Sequence, residues 1–306
     1  KNSDGTISGS TLTTATATIF SYRRPSIDRL LPLSKINDTD VIVSTQGDIS
    51  LSTMGDETIV LLGDNMGPAG LVLTGEYGTD PGPYYCAKCL ITKAHVEAQC
   101  VTSPGGGNIL HWRLIGTGPS VGAVWTSLRN TKFTTSYMPP TITSIQAISS
   151  DQYLSTRGGT SMQVKGTSLG PIIHKRFMSC SGGSSNVDNI PLVSGVDLKI
   201  EYSKDGASTA ITTAATYSAS KCRVVTNDEI VVCETPAGTG GNHQVTLELL
   251  GQSSSVSSDS LTYHPPVLKS VSGVGTQDAS TRGGQPIYVF GDHFGPETDN
   301  SLLQVG

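Results

Sequence analysis

The sequence predicts an all-β chain assembled from repeated small domains. Three observations carry this: a glycine-spaced strand motif found three times, a Tyr-x-x-Pro marker found three times, and a Cys-to-Cys segment of fixed length found twice. Composition agrees. The 306 residues include 35 glycines, only 15% are charged and 6% are aromatic, a mix that suits many short strands with small polar outer faces and frequent turns. The net charge is −5, with no Lys/Arg-rich run, which argues against a nucleic-acid surface or a polybasic membrane patch.

The first motif reads STMGDETIVLLGDNMGP from Ser52, STRGGTSMQVKGTSLGP from Ser155 and STRGGQPIYVFGDHFGP from Ser280. In each, one glycine is followed eight residues later by a second, and four later by Gly-Pro: Gly55/Gly63/Gly67, Gly158/Gly166/Gly170 and Gly283/Gly291/Gly295. Between the first two lies an apolar-rich run (IVLL, MQV or IYVF). A strand opened by a glycine turn and closed by another accounts for this spacing.

The second marker appears as YRRP at Tyr22, YMPP at Tyr137 and YHPP at Tyr263. Each Tyr ends a Ser/Thr-rich stretch and each Pro opens the next segment, so one unit runs almost directly into the following one. The third marker is CRVVTNDEIVVC, from Cys222 to Cys233. Folding it at TNDE pairs the two cysteines across antiparallel strands. CLITKAHVEAQC, from Cys89 to Cys100, has the same ten intervening residues. Each such disulfide stabilises its unit by roughly 3 kcal/mol, and two matched pairs point to an oxidising, extracellular compartment.

Together these markers resemble the IPT/TIG family of immunoglobulin-like domains, of the kind found in tandem in fibrocystin-like and plexin-like surface proteins. Residues 140–263 fit best, with the glycine strand at 158–171, Cys222, Cys233, the TPAGTGG turn at 235–241 and Tyr263 in place. Residues 25–137 fit with departures: Asp56 stands where the second Gly is expected, and 101–107 is a looser turn. The resemblance implies tandem β-sandwiches forming an extended rod. The expected division is 1–24 as the C-terminal strands of a preceding unit, 25–138 and 139–264 as whole units, and 265–306 as the N-terminal part of a further unit.

Sharper motifs are weighed against this frame. GTSLG has the G-x-S-x-G spacing of a hydrolase nucleophile elbow. Its Ser168, however, aligns with Asn65 and His293 while the glycines recur, so the turn is the reading. Cys86-x-x-Cys89 lacks the βαβ context of a redox motif and a second zinc ligand pair. Cys86 and Cys180 have no equivalents in the other unit. They are candidates for a further cross-link, with each other or with another chain, or for free thiols. The six histidines form no metal motif, no calcium loop is present, and no cofactor or catalytic residue is expected. Asn37-Asp38-Thr39 is a glycosylation sequon, and the Thr-rich 11–18 and Ser-rich 253–260 stretches are candidate O-glycan sites.

No apolar run reaches the length of a membrane span, and no signal peptide is visible. The expected function is therefore non-enzymatic and structural: an extracellular or cell-surface array forming a stalk, fibre or filament, its partners being copies of itself or further repeats. The alternative is a receptor or adhesion ectodomain binding a glycan or another surface protein, with Trp112 and Trp125 as candidate anchors unless they pack in the core. An accessory module of a secreted enzyme is a third reading.

Overall fold

The computed structural model describes residues 23–36, 39–42, 48–79, 84–117, 124–174, 180, 190–203 and 216–297. These residues contain strands and turns and no helix. Asn37, the 11–18 stretch, residues 1–22 of the expected 1–24 tail and residues 298–306 of the expected further unit lie outside them.

Ten strands form the first half: β1 (Ser26–Ile36), β2 (Thr39–Ile42), β3 (Ile49–Leu51), β4 (Thr58–Asp64), β5 (Val72–Gly78), β6 (Tyr84–Lys93), β7 (Glu97–Val101), β8 (Leu110–Thr117), β9 (Val124–Thr126) and β10 (Asn130–Tyr137). They are hydrogen-bonded in the order β2-β1-β4-β7-β6-β5-β8-β10-β3, with β9 beside β8. All pairs are antiparallel except β10–β3. Strand β6 makes the sheet continuous, because Tyr84–Leu90 pair with β5 while Lys88–Lys93 pair with β7.

In the second half the strands are β11 (Thr141–Ala147), β12 (Ser161–Thr167), β13 (Ile173–His174), β14 (Ile190–Pro191), β15 (Leu198–Ser203), β16 (Tyr217–Ser218), β17 (Ser220–Thr226), β18 (Ile230–Glu234), β19 (His243–Leu249), β20 (Gln252–Ser253) and β21 (Ser260–Leu261). Here β11-β12-β18-β17 and β16-β15-β19-β20, with β21, are separate sheets, and β13 pairs with β14. One residue explains the difference. Tyr85 lies four positions before Cys89, but Tyr217 lies five before Cys222, and the extra residue, Ala219, divides what β6 keeps whole.

Alternation of side chains along the strands builds the cores. In β19, His243, Val245, Leu247 and Leu249 are buried and the residues between them less so. One core gathers Met162, Val164, Leu247 and Tyr263 between the two sheets of the second half; the other gathers Leu51, Leu61, Tyr77 and Trp112 in the first. Strands β22 (Val267–Ser272) and β23 (Tyr288–Asp292) form a further antiparallel pair. Leu268 and Val271 of β22, with Ile287 and Phe294 on either side of β23, match Ile142, Ile145, Met162 and Leu169 at the second core by sequence register, yet are exposed.

The middle glycine of each motif has one physical cause. The opening strand carries a register shift at the same place in all three pairs: between Ile27 and Arg29, between Ile142 and Ser144, and between Leu268 and Ser270. The bulge turns a carbonyl toward the facing strand. A Cβ on Gly63, Gly166 or Gly291 would stand 1.9, 1.8 or 1.9 Å from the carbonyl oxygen of Ser26, Thr141 or Val267. Only glycine admits that approach. We expect Gly166→Ala to destabilise the second half by about 3 kcal/mol through forced separation of β11 from β12, read as a lowered urea midpoint with little change in slope.

Candidate functional site

The GTSLG turn is a docking element rather than a nucleophile elbow. Ser168 has φ +56°, and its counterparts Asn65 and His293 have +56° and +62°, so all three occupy the same left-handed position. The turn grips the tip of the cysteine hairpin through the backbone. Leu169 N–H donates to Asp228 O at 3.2 Å, Asp228 N–H to Gly170 O at 2.8 Å and Gly166 N–H to Glu229 O at 3.0 Å. In the first half Met66 N–H donates to His95 O, His95 N–H to Gly67 O and Gly63 N–H to Val96 O, at 3.1, 2.7 and 3.0 Å. The side chain at position 168 is free to vary because the hydrogen bonds are made by its neighbours. Asp56, the departure from the glycine pattern, adopts φ +60° where Gly159 and Gly284 adopt +78° and +80°. Aspartate tolerates this region better than most residues, and the turn is unchanged.

A cluster of tyrosines lies in each half. Tyr202 and Tyr263 share a hydroxyl–hydroxyl bond of 2.7 Å, and Tyr263 donates to Pro236 O at 3.0 Å. Tyr77 and Tyr137 repeat this at 2.9 Å, with Tyr137 donating to Ser103 O at 2.6 Å. Tyr217 donates to Thr239 O and accepts from Thr239 N–H; Tyr85 does the same with Gly106. The Pro-Gly-rich turn after each cysteine hairpin is thereby held against aromatic rings. A Cβ on Gly105 would lie 2.4 Å from Tyr85, and one on Gly238 2.6 Å from Tyr263. Tyr77 and Tyr202 were not singled out in the sequence, although a Glu-Tyr pair precedes the hairpin in both halves (Glu76-Tyr77, Glu201-Tyr202).

The cysteines form three disulfides: Cys89–Cys100, Cys222–Cys233 and Cys86–Cys180. The first two are hairpin bonds inside the cores. Cys86 and Cys89 sit three apart on a strand and so point to opposite faces, which rules out a Cys-x-x-Cys redox pair. Cys86–Cys180 spans 94 residues and joins β6 to the second half. Beside it Glu76, fully buried, forms an ion pair with Arg113 at 2.6 Å and accepts from Arg129 at 2.7 Å and from Cys180 N–H at 2.9 Å. Tyr84 lies under both guanidiniums, 5.9 and 4.4 Å from its ring centre.

Two further sets of contacts join successive segments. Gln252 accepts from Gly107 N–H at 3.1 Å and donates to Tyr137 O at 2.8 Å, and Thr53 donates to the Asp228 carboxylate at the hairpin tip. Farther on, residues 155–157 face Asp292, His293 and Phe294 across a cleft, and His264 stacks on His293 with ring centres 4.3 Å apart. His264 also pairs with Asp151 at 3.1 Å.

The tryptophans are not surface anchors. Trp112 is fully buried, stacked on Tyr77 at 4.2 Å and donating to Thr135, and Trp125 packs over Gly116 against the first core. In the Ser-rich stretch, the Ser254 and Ser257 hydroxyls accept from Leu247 and Val245 N–H and are buried. Among the described residues no group of three or more His, Cys, Asp or Glu is placed to hold a metal ion.

Residues 140–264 match the IPT/TIG domain. No curated protein matches the chain. The match covers β11 to β21 and so contains the Cys222–Cys233 hairpin, the GTSLG turn and the Tyr202–Tyr263 pair. The same three devices recur before it, in residues 49–137, with the hydrogen bonds already given.

Burial holds four of these phenols neutral. It raises Tyr77, Tyr137 and Tyr202 well above the ordinary range, and raises Tyr263 to about 12. The folded chain thus binds these protons more tightly than the unfolded chain, whose tyrosines ionise near pH 10. The stability this contributes is complete below about pH 10 and is lost as pH rises through the folded-state values. We expect the urea midpoint to stay level up to about pH 9 and to fall steeply between about pH 10 and 12. Of the ten tyrosines, these four gain tyrosinate absorbance only as the chain unfolds.

Proposed function

We propose that the chain is part of a non-enzymatic, extracellular array of immunoglobulin-like domains with a structural role, building a stalk, fibre or filament at a cell surface. In this reading residues 25–138 and 139–264 are two whole IPT/TIG units. Residues 265–306 open a further unit, and 1–24 end a preceding one. An IPT/TIG domain points generally to adhesion, receptor or structural roles outside the cell, typically without catalysis, and three disulfides suit an oxidising compartment.

One observation carries the structural version: both junctions join like parts. The turn that opens with Ser-Thr in one unit faces the glycine turn, or the hairpin tip docked on it, in the next. Thr53 meets Asp228 at the first junction, and residues 155–157 face Asp292, His293 and Phe294 at the second. A contact that repeats with the same polarity is heterologous and continues head to tail. Proline shortly after the final tyrosine of each unit, at Pro139, Pro140, Pro265 and Pro266, stiffens the connection. The partners are then further units of the same repeat, with glycans or another surface protein as secondary partners. Both tryptophans are committed to internal packing, so neither serves as the surface anchor a receptor reading would give it.

Negative-stain electron microscopy of the native, unreduced protein, with a reduced sample beside it, tests this. Long filaments with a repeat of two sandwich lengths are the expected result. Isolated short rods at every concentration would overturn the filament reading and favour a receptor or adhesion ectodomain.

A further inference from the structure

We propose that Cys86–Cys180 is a reducible tether between the IPT/TIG domain and the segment before it, opened by a dithiol reductant while the two hairpin disulfides stay closed. The inference stands on position, surroundings and burial, and is independent of filament formation.

Burial separates the three bonds. Cys89, Cys100, Cys222 and Cys233 are 0 to 3% exposed, inside cores that must open before a reductant can reach them. Cys86 and Cys180 are both half-buried. Access to sulfur is one of the factors that set the rate of thiol–disulfide exchange.

Position gives reduction a consequence. Cys89–Cys100 and Cys222–Cys233 each close a hairpin whose strands are already paired by backbone hydrogen bonds. Cys86–Cys180 alone joins the two halves covalently other than through the main chain. The described hydrogen bonds between the halves are few and polar: Gly107 and Tyr137 with Gln252, Thr53 with Asp228, and Glu76 with Cys180 N–H. The counterpart of Cys86 in the second half is Ser218, paired with Glu201 as Cys86 is with Glu76. The tether is thus an addition to the repeat, not a part of its core.

The surroundings favour exchange. Glu76 is the cross-strand partner of Cys86 and holds Cys180 by its N–H, so the sulfur pair sits over the Arg113–Glu76–Arg129 cluster. Two guanidiniums against one carboxylate leave a net positive charge there, which stabilises a departing thiolate. The reductant's thiolate attacks one cysteine sulfur, the S–S bond breaks, and its electron pair leaves on the other cysteine. The second thiol of the reductant then resolves the mixed disulfide. Two electrons and two protons pass from the dithiol to Cys86 and Cys180, and the reductant ends as its own disulfide.

The test is a dithiothreitol titration of the native chain with alkylation and peptide mapping, followed by small-angle scattering. We expect Cys86 and Cys180 to be alkylated together at roughly tenfold less reductant than the other four cysteines, with strand content unchanged by circular dichroism. Scattering from that partly reduced sample should differ from the oxidised protein and match the Cys86→Ser/Cys180→Ser variant. Labelling of a hairpin pair together with or before Cys86 and Cys180 would overturn the selectivity. Identical scattering from oxidised and reduced protein would overturn the tether. If the double variant fails to fold, the titration of the unmodified chain decides alone.

Discussion

Everything in each unit converges on two phenols that share a hydrogen bond out of reach of water. Tyr263 follows β21, Tyr202 comes from β15, and Pro236 O belongs to the turn after the disulfide hairpin. A buried hydroxyl without a partner is costly, so each of these three segments is placed by the needs of the others. The glycines of the turn follow from this, since the rings occupy the space where a side chain would be. The same holds in the first half with Tyr137, Tyr77 and Ser103. A terminal tyrosine is therefore a closure: it ties the end of the chain segment to its hairpin and its far sheet at once.

The second constraint works at the opposite end of the unit. A bulge in the opening strand requires glycine in the facing strand, and the left-handed turn that follows takes hold of the hairpin tip. The hairpin is thus pinned at its tip by one turn, at its base by the tyrosines, and across its middle by a disulfide. This is why three short motifs separated by tens of residues behave as one pattern.

Those features were legible in the sequence because each forbids substitution at a fixed spacing. Glycine spacing, the cysteine hairpins and the closing tyrosines were all readable, and the all-β fold with them. Asp56 looked like a break in the pattern, but the backbone there is left-handed all the same, a conformation that spacing alone does not reveal. Tyr77 and Tyr202 lie in strands whose other residues diverge, leaving only a Glu-Tyr pair as a signal. The pairing of Cys86 with Cys180 was one of several alternatives, since a bond across 94 residues leaves no periodicity. Buried Glu76, with its two arginines, was not legible at all. Its partners come from separate strands and loops, and an isolated glutamate in a polar sequence carries no mark of burial.

The long-range disulfide also decides how the chain would respond to being pulled. Tension entering from the N-terminal side passes along β6 to Cys86, crosses to Cys180 and leaves toward β15, bypassing the residues between. With 94 residues of separation, about 300 Å of extended contour is kept out of the force path while the bond holds. The first closing tyrosine, the Pro139–Pro140 junction and the bulged strand β11 all lie within that protected loop. Pulled from its ends, the chain lengthens between β6 and β15 only after a covalent bond has been broken.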